Sequence, residues 1–190
     1  MYLFSSVFLF YGFNMLLQNI FSSKIANNFT SLSHALISST ITGMYIYSSN
    51  NLITYNVIRN ISSGYFIYDI INLLKYRNFS LMYLVYFYHH IASLYILNYG
   101  LDDKISYLLF WGELSNIPSY FVYYYLKTDI KKANRWKYIQ KIIYTTIRIP
   151  ILGYYTYNIC KESTDIISLC LGVPVYIMGI IWSLKIINSH

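Results

Sequence analysis

Charge is what this chain has least of. Only 11% of its 190 residues are Asp, Glu, Lys or Arg, less than half the roughly 25% usual in a soluble domain. Acidic side chains are the scarcer sign, seven against fourteen basic ones. The basic excess gives a net charge of +7, yet it sits in short connections rather than along a groove with interleaved aromatics. That pattern excludes a nucleic-acid interface and suits membrane topology and anionic headgroups. Cysteine is nearly absent. Cys160 and Cys170 have neither a CxxC spacing nor histidines close by, which excludes a disulfide framework and a zinc site built on thiols. They read as ordinary free thiols. Proline and glycine, three and eight residues, form no linker, and no low-complexity tail or internal repeat is present. The first charge is Lys24, so the amino-terminal stretch lacks the basic start of a cleaved signal peptide and reads as a retained span.

What is there is hydrophobic: 56% of the chain, in continuous runs rather than alternating ones, which favours helices over a β-barrel. Seven runs are long enough to span a bilayer at about 20 residues each: 2–21, 30–49, 52–74, 79–98, 105–126, 138–158 and 166–187. The expectation is an all-α, polytopic transmembrane helical bundle. With the amino terminus outside, nine basic residues lie on the inner side (Lys24, Lys75, Arg77, Lys127, Lys131, Lys132, Arg135, Lys137, Lys185) and two, Lys104 and Lys161, on the outer side. The asymmetry favours an outside amino terminus and an inside carboxyl terminus. The fifth run is interrupted by Glu113, Asn116 and Pro118; a re-entrant version would give six spans, but would bring the Lys127–Lys137 cluster to the side of Asp102 and Asp103. The sequons at Asn28, Asn60 and Asn78 fall inside or within the membrane on this topology and are expected to stay unmodified.

Ionisable groups at membrane depth are costly and are held inward against partners or water. The chain is organised around one such stretch, Gly64 to Asn98. Two apolar runs there, joined by the turn Lys75-Tyr76-Arg77-Asn78, carry Asp69 on the first and His89 and His90 on the second. Asp69 stands about 9 Å and His89 about 15 Å above that turn at a helical rise. Contact is therefore expected either directly or through a water or headgroup. Similar depths suggest an ion pair between Glu113 and Arg148, and pair Asp69 with His34 or with one of the two histidines. Ser93, one turn beyond His89, is placed to orient it. Ser38, Ser39, Thr40, Thr42 and Gly43 read as helix-packing contacts, and Arg59 as structural or reaching to the outer interface. Adjacent histidines project about 100° apart. Both can line one cavity as a base, a nucleophile or a headgroup ligand, or form a hydrogen-bonded structural pair. No metal or other cofactor is expected.

At these residues the chain resembles the TLC-domain family, polytopic membrane proteins that include the ceramide synthases. The likeness rests on Ser31-Leu-Ser-His34, Gly64-Tyr-Phe-Ile-Tyr-Asp69, His89-His90-Ile-Ala-Ser93, and Glu113-Leu-Ser-Asn-Ile-Pro118 followed by Arg148-Ile-Pro150. The last pair resembles the small, non-synthase branch. The resemblance runs from Thr30 to the carboxyl terminus, leaving residues 1–29 as an added span and connection before a TLC-like domain of residues 30–190. It implies an endoplasmic-reticulum-type membrane and an interior, lipid-accessible cavity. In the synthases the paired histidines are catalytic in acyl transfer from acyl-CoA to a sphingoid base, a role that maps onto His89 and His90 alone. The synthases' His-Asp-x-x-Asp run after the pair has no counterpart here. The expectation is therefore a protein that binds or senses membrane lipids, with N-acyl transfer as one alternative and a trafficking or structural role as another.

Overall fold

The structure is a computed structural model that describes residues 2–47, 54–76, 80–100 and 102–188. Among them no strand occurs. The helices are α1 (Tyr2–Gln18), α2 (Ser23–Tyr47), α3 (Tyr55–Tyr76), α4 (Leu81–Tyr99), α5 (Asp102–Thr128), α6 (Ile130–Thr146), α7 (Leu152–Glu162) and α8 (Ile166–Asn188). A π-helical turn, Ile147–Ile151, makes α6 and α7 one continuous rod. The segments therefore match the seven expected runs in number and order, with edges that differ. α2 begins seven residues before the expected Thr30, so the 29/30 boundary falls inside a helix. Lys131 to Lys137 belong to the first turns of α6 rather than to a loop. Arg77 and Asn78 of the central turn lie outside the described residues.

Caps explain several of these edges. Asp129 alone separates α5 from α6, and its side chain accepts from the backbone N–H groups of Lys131 and Lys132. These bonds satisfy donors that a helix start leaves open. They hold the Asp129 carboxyl below its usual range, the Lys132 N–H contributing most. Ser80 caps α4. Asp165 accepts from the Ser168 hydroxyl and the Ile167 N–H at the start of α8.

Consecutive segments run antiparallel. α2 packs on α5, α5 on α6 and α7, these on α8, α8 on α4, α4 on α3, and α3 again on α2. The six segments close a ring, and α1 lies outside it against α2 and α3. α1 fits there because position 64 has no side chain: a Cβ on Gly64 would overlap Ser6 Cβ and stand 3.1 Å from the Ser6 and Val7 backbone. Asn14 of α1 is buried and donates to Asn27 and Thr30 of α2. Small hydroxyl residues make the other seams. Ser38 meets Ser62 at 3.1 Å, and Gly43 leaves room for the Phe110 ring. Both fit the packing role expected of the second span.

The three prolines are absorbed differently. α5 runs unbroken through Pro118, so the fifth segment does not turn back. Pro174 of α8 cannot donate to the Cys170 carbonyl, and the Tyr88 hydroxyl of α4 donates there instead, at 3.3 Å. Pro150 coincides with the π turn; its ring clashes with the carbonyl four residues back, and widening the helix relieves the clash. The Tyr176 hydroxyl approaches this turn over Gly153 and donates to the Ile149 carbonyl at 3.0 Å.

Burial is mixed. A hydrophobic cluster that includes Phe10, Ile58, Tyr68 and Leu97 is buried, and so are Thr30, His34, Ser38, Thr42, Ser62, Ser106, Ser115 and Ser183, all 0% exposed. Phe4, Phe8, Ile20, Leu81 and Ile166 are more than 70% exposed. Among the described residues one helix, α8, is by length and composition apolar enough to cross a membrane, and a shorter apolar helix runs from Leu3 to Gln18.

Candidate functional site

Two cavities meet inside the ring. The larger, about 390 Å³, gathers ionisable and hydrogen-bonding groups: Asp69, His90, Gln140, Tyr144, Trp182 and Lys185 stand on its wall. It reaches toward the end of the bundle where α6 begins and α8 finishes. The smaller, about 120 Å³, is mostly aliphatic, lined by Leu97, Leu108, Leu109, Leu152 and Val175 together with Ser93. Five residues face both: Phe66, His89, Glu113, Asn116 and Arg148. They form the layer between the larger cavity, a vestibule, and the apolar chamber.

His90 and Asp69 make a direct polar contact, Nε2 to Oδ2 at 2.8 Å. The height difference that left room for a bridging water is closed directly, through His90 rather than His89. Donation from His90 Nε2 leaves Nδ1, in the neutral ring, as the acceptor; among the described residues it meets no partner. His89 lies one residue earlier, its ring 5.4 Å from that of His90 and 6.2 Å from Trp182. Its Nδ1 is buried and likewise without a hydrogen-bond partner among the described residues. Ser93 shares the apolar chamber with His89, but none of its contacts orients the ring.

Two sequence expectations are corrected. Glu113 and Arg148 occupy one layer but form no direct ion pair within 4.0 Å. Arg148 donates to Ser115 Oγ at 2.9 Å, to the Gly112 carbonyl at 3.2 Å and to Asn116 Oδ1 at 2.8 Å. Positions 112, 115 and 116 share one face of α5, spaced i, i+3, i+4, whereas 113 projects away from that face. Depth was readable from the sequence, but the angle around the helix was not. Asn116 thus ties α5 to the π turn that carries Arg148. His34, in turn, pairs with neither Asp69 nor a cavity. It stacks on Tyr65 at 3.9 Å between ring centroids, its Nδ1 lies 3.7 Å from Glu113 Oε2, and it stands on the wall of neither chamber. Tyr65 separates it from the vestibule.

The sequence reading missed Asn116 as a partner of Arg148, Tyr144 beneath the Arg148 guanidinium at 5.0 Å, and Gln140, Trp182 and Lys185 on the vestibule wall. Only Tyr144 carried a local signal, its i, i+4 spacing to Arg148. Among the described residues no three His, Cys, Asp or Glu side chains gather to hold a metal ion. Comparison with protein-family models, with curated proteins and with solved structures finds no match to this chain.

Proposed function

We propose that this chain is a polytopic membrane protein of TLC-domain type whose helix ring binds an acyl lipid. The polar head occupies the vestibule at Asp69 and His90, and the acyl chain occupies the aliphatic chamber beyond His89. The protein acts in lipid binding or sensing, within membrane-lipid homeostasis, in an endoplasmic-reticulum-type membrane. The observation that carries the reading is the two-part cavity, with Asp69, His90 and Lys185 on the wall of one part only and the aliphatic Leu97, Leu108, Leu109 and Leu152 on the wall of the other only. A lipid is the ligand class with that polarity profile. The vestibule wall holds two carboxylates, Asp69 and Glu113, and two cations, Arg148 and Lys185, a balance that suits a zwitterionic or neutral head.

A bilayer setting is supported by the exposed large apolar side chains and the buried hydroxyl residues. Bare Phe4, Phe8, Leu81 and Ile166 would be a large aggregating surface in water. Buried serines and threonines at helix contacts are the usual means of packing helices in lipid, where apolar contact alone gives no advantage over the solvent. At about 1.5 Å per residue the 27-residue α5 is about 40 Å long, the thickness of a bilayer with its interfaces.

The test is lipid retention. Wild-type protein purified in mild detergent is expected to carry lipid visible by mass spectrometry after extraction. His89→Ala and His90→Ala are expected to fold and to lose it. Variants that fold normally and keep the wild-type lipid would refute the cavity role of the pair. One observation favours a second reading, N-acyl transfer: His89 stands in the layer that both cavities share, where the head and chain of a bound lipid would join. There a histidine could take the proton of an attacking amine while the acyl carbon–sulfur bond of acyl-CoA breaks. Turnover of acyl-CoA with a sphingoid base, abolished in His89→Ala, would select it.

A further inference from the structure

A third space of about 40 Å³ abuts the apolar chamber at the far end of the bundle, with a wall that includes Gly100, Cys160, Ser163 and Ser168. The boundary between the two is formed by Ile96 of α4, Ile105 and Leu108 of α5, Thr156 of α7 and Gly172 of α8, the residues common to both spaces. Four of these five have side chains; Gly172 does not.

Helix packing does not account for that glycine. A Cβ on Gly64 or Gly153 would collide with a neighbour, and one on Gly179 would press on Arg148 at 3.3 Å. A Cβ on Gly172 would meet only Ile96 Cδ1, at an ordinary 3.4 Å. Alanine would therefore fit, and glycine inside a helix costs about 1 kcal/mol relative to alanine. What the missing side chain does provide is room at the boundary between the two spaces, where only Ile96 Cδ1 lies within 4 Å of that position. The outer space is closed off by Gly100, Cys160 and Ser163 at the end of the bundle.

We propose that Gly172 is a specificity-determining position: the room it leaves opens a passage between the two spaces and sets the length of the single alkyl chain this cavity accepts. Ile96 lies about 10 Å along α4 from His89 and Gly100 about 16 Å. At about 1.2 Å per extended bond the two distances differ by about five carbons, the increment that the outer space adds. The inference rests on the lipid-binding reading above, and its test separates the two.

The probes are saturated lysophosphatidylcholines from octanoyl to stearoyl, offered to detergent-purified protein and scored by native mass spectrometry. Wild type is expected to retain the longer members. In Gly172→Leu the optimum shifts to chains shorter by about five carbons. Leu108→Phe, which narrows the passage from α5, produces the same shift and replaces Gly172→Leu if that variant does not fold. Adding Ile96→Ala to Gly172→Leu restores the longer chains. If narrowed variants retain the series with the wild-type length profile, Gly172 is not the determinant, and the lipid-binding reading stands. If wild type retains no member of the series, both readings fail.

Discussion

Cutting the Asp69–His90 contact tests whether this site is held together by its chemistry or only by packing. The two atoms are 2.8 Å apart, the His90 side chain is 9% exposed and that of Asp69 24%. Asp69 also faces a vestibule large enough for water. In His90→Ala the carboxylate keeps partial access to solvent, so the 3–5 kcal/mol typical of a broken, fully buried pair is an upper bound. About 1–3 kcal/mol is the expected loss, that of a polar group left unsatisfied. Asp69→Asn keeps an oxygen in place to accept from Nε2 and exchanges a charge-assisted bond for a neutral one, costing about 1 kcal/mol. Asp69→Ala/His90→Ala removes both groups and leaves neither orphaned. Its cost should fall short of the sum of the single alanine variants by at least about 1 kcal/mol. Reversible unfolding in mixed micelles, followed by helix signal, measures all of these. Alanine variants that add within about 0.5 kcal/mol would mean that the two residues do not interact in the folded protein, and the vestibule geometry described above would be wrong.

Other consequences are quicker to check. Gly64→Ala should push α1 off α3 and lower stability by about 1–3 kcal/mol, and Ser6→Gly should recover part of that loss; no recovery would place the helix contact elsewhere. Maleimide labelling in membranes should reach Cys160 and a cysteine introduced at Thr128 (in a chain otherwise free of cysteine) from opposite faces, since the two residues sit at opposite ends of the bundle; labelling from one face would exclude the seven-segment crossing. The Asp129 cap should weaken with acid. Its carboxyl is held below the usual range by backbone donors, so its stabilisation is full above the ordinary Asp pKa and is lost as pH falls through the lowered one. Hydrogen exchange in the first turn of α6 should accelerate across that window, and Asp129→Asn should remove the dependence.

The number and order of helical segments were legible because apolar runs of about 20 residues leave few alternatives. What could not be read was direction around each helix. Depth along the axis comes from counting residues, and it correctly brought Asp69 to the histidine layer and Arg148 to that of Glu113. Partnership depends on azimuth, and each helix's azimuth is fixed by neighbours that are remote in sequence. Position 113 is one residue from the face that Arg148 meets, and that offset exchanges an ion pair for hydrogen bonds to neutral acceptors, Ser115, Asn116 and the Gly112 carbonyl. His34 illustrates the same limit: it has the right depth for Asp69, but Tyr65 lies between them, stacked on its ring.

Pro150 shows how far a local signal can carry when its mechanical effect is followed through. Arg148-Ile-Pro150 stood out in the sequence as part of a family-like pattern, with no geometry attached. Placed in a helix, the proline removes one donor and crowds the preceding turn, and the helix answers by widening to a π turn over residues 147–151. The extra residue in that turn shifts the register between α6 and α7. Gln140 and Tyr144 thus face the vestibule, Leu152 and Thr156 face the chamber, and Arg148 stands between them. The carbonyl of Ile149, which the Leu152 N–H already reaches, takes a second bond from Tyr176 of α8, a residue that also lines the chamber. One proline thereby couples the position of the buried cation to the α7–α8 packing that walls the proposed alkyl passage. A regular α-helix would set Arg148 and Thr156 about 80° apart around the axis; the wider π turn changes that angle, and both residues line the cavities the rod faces.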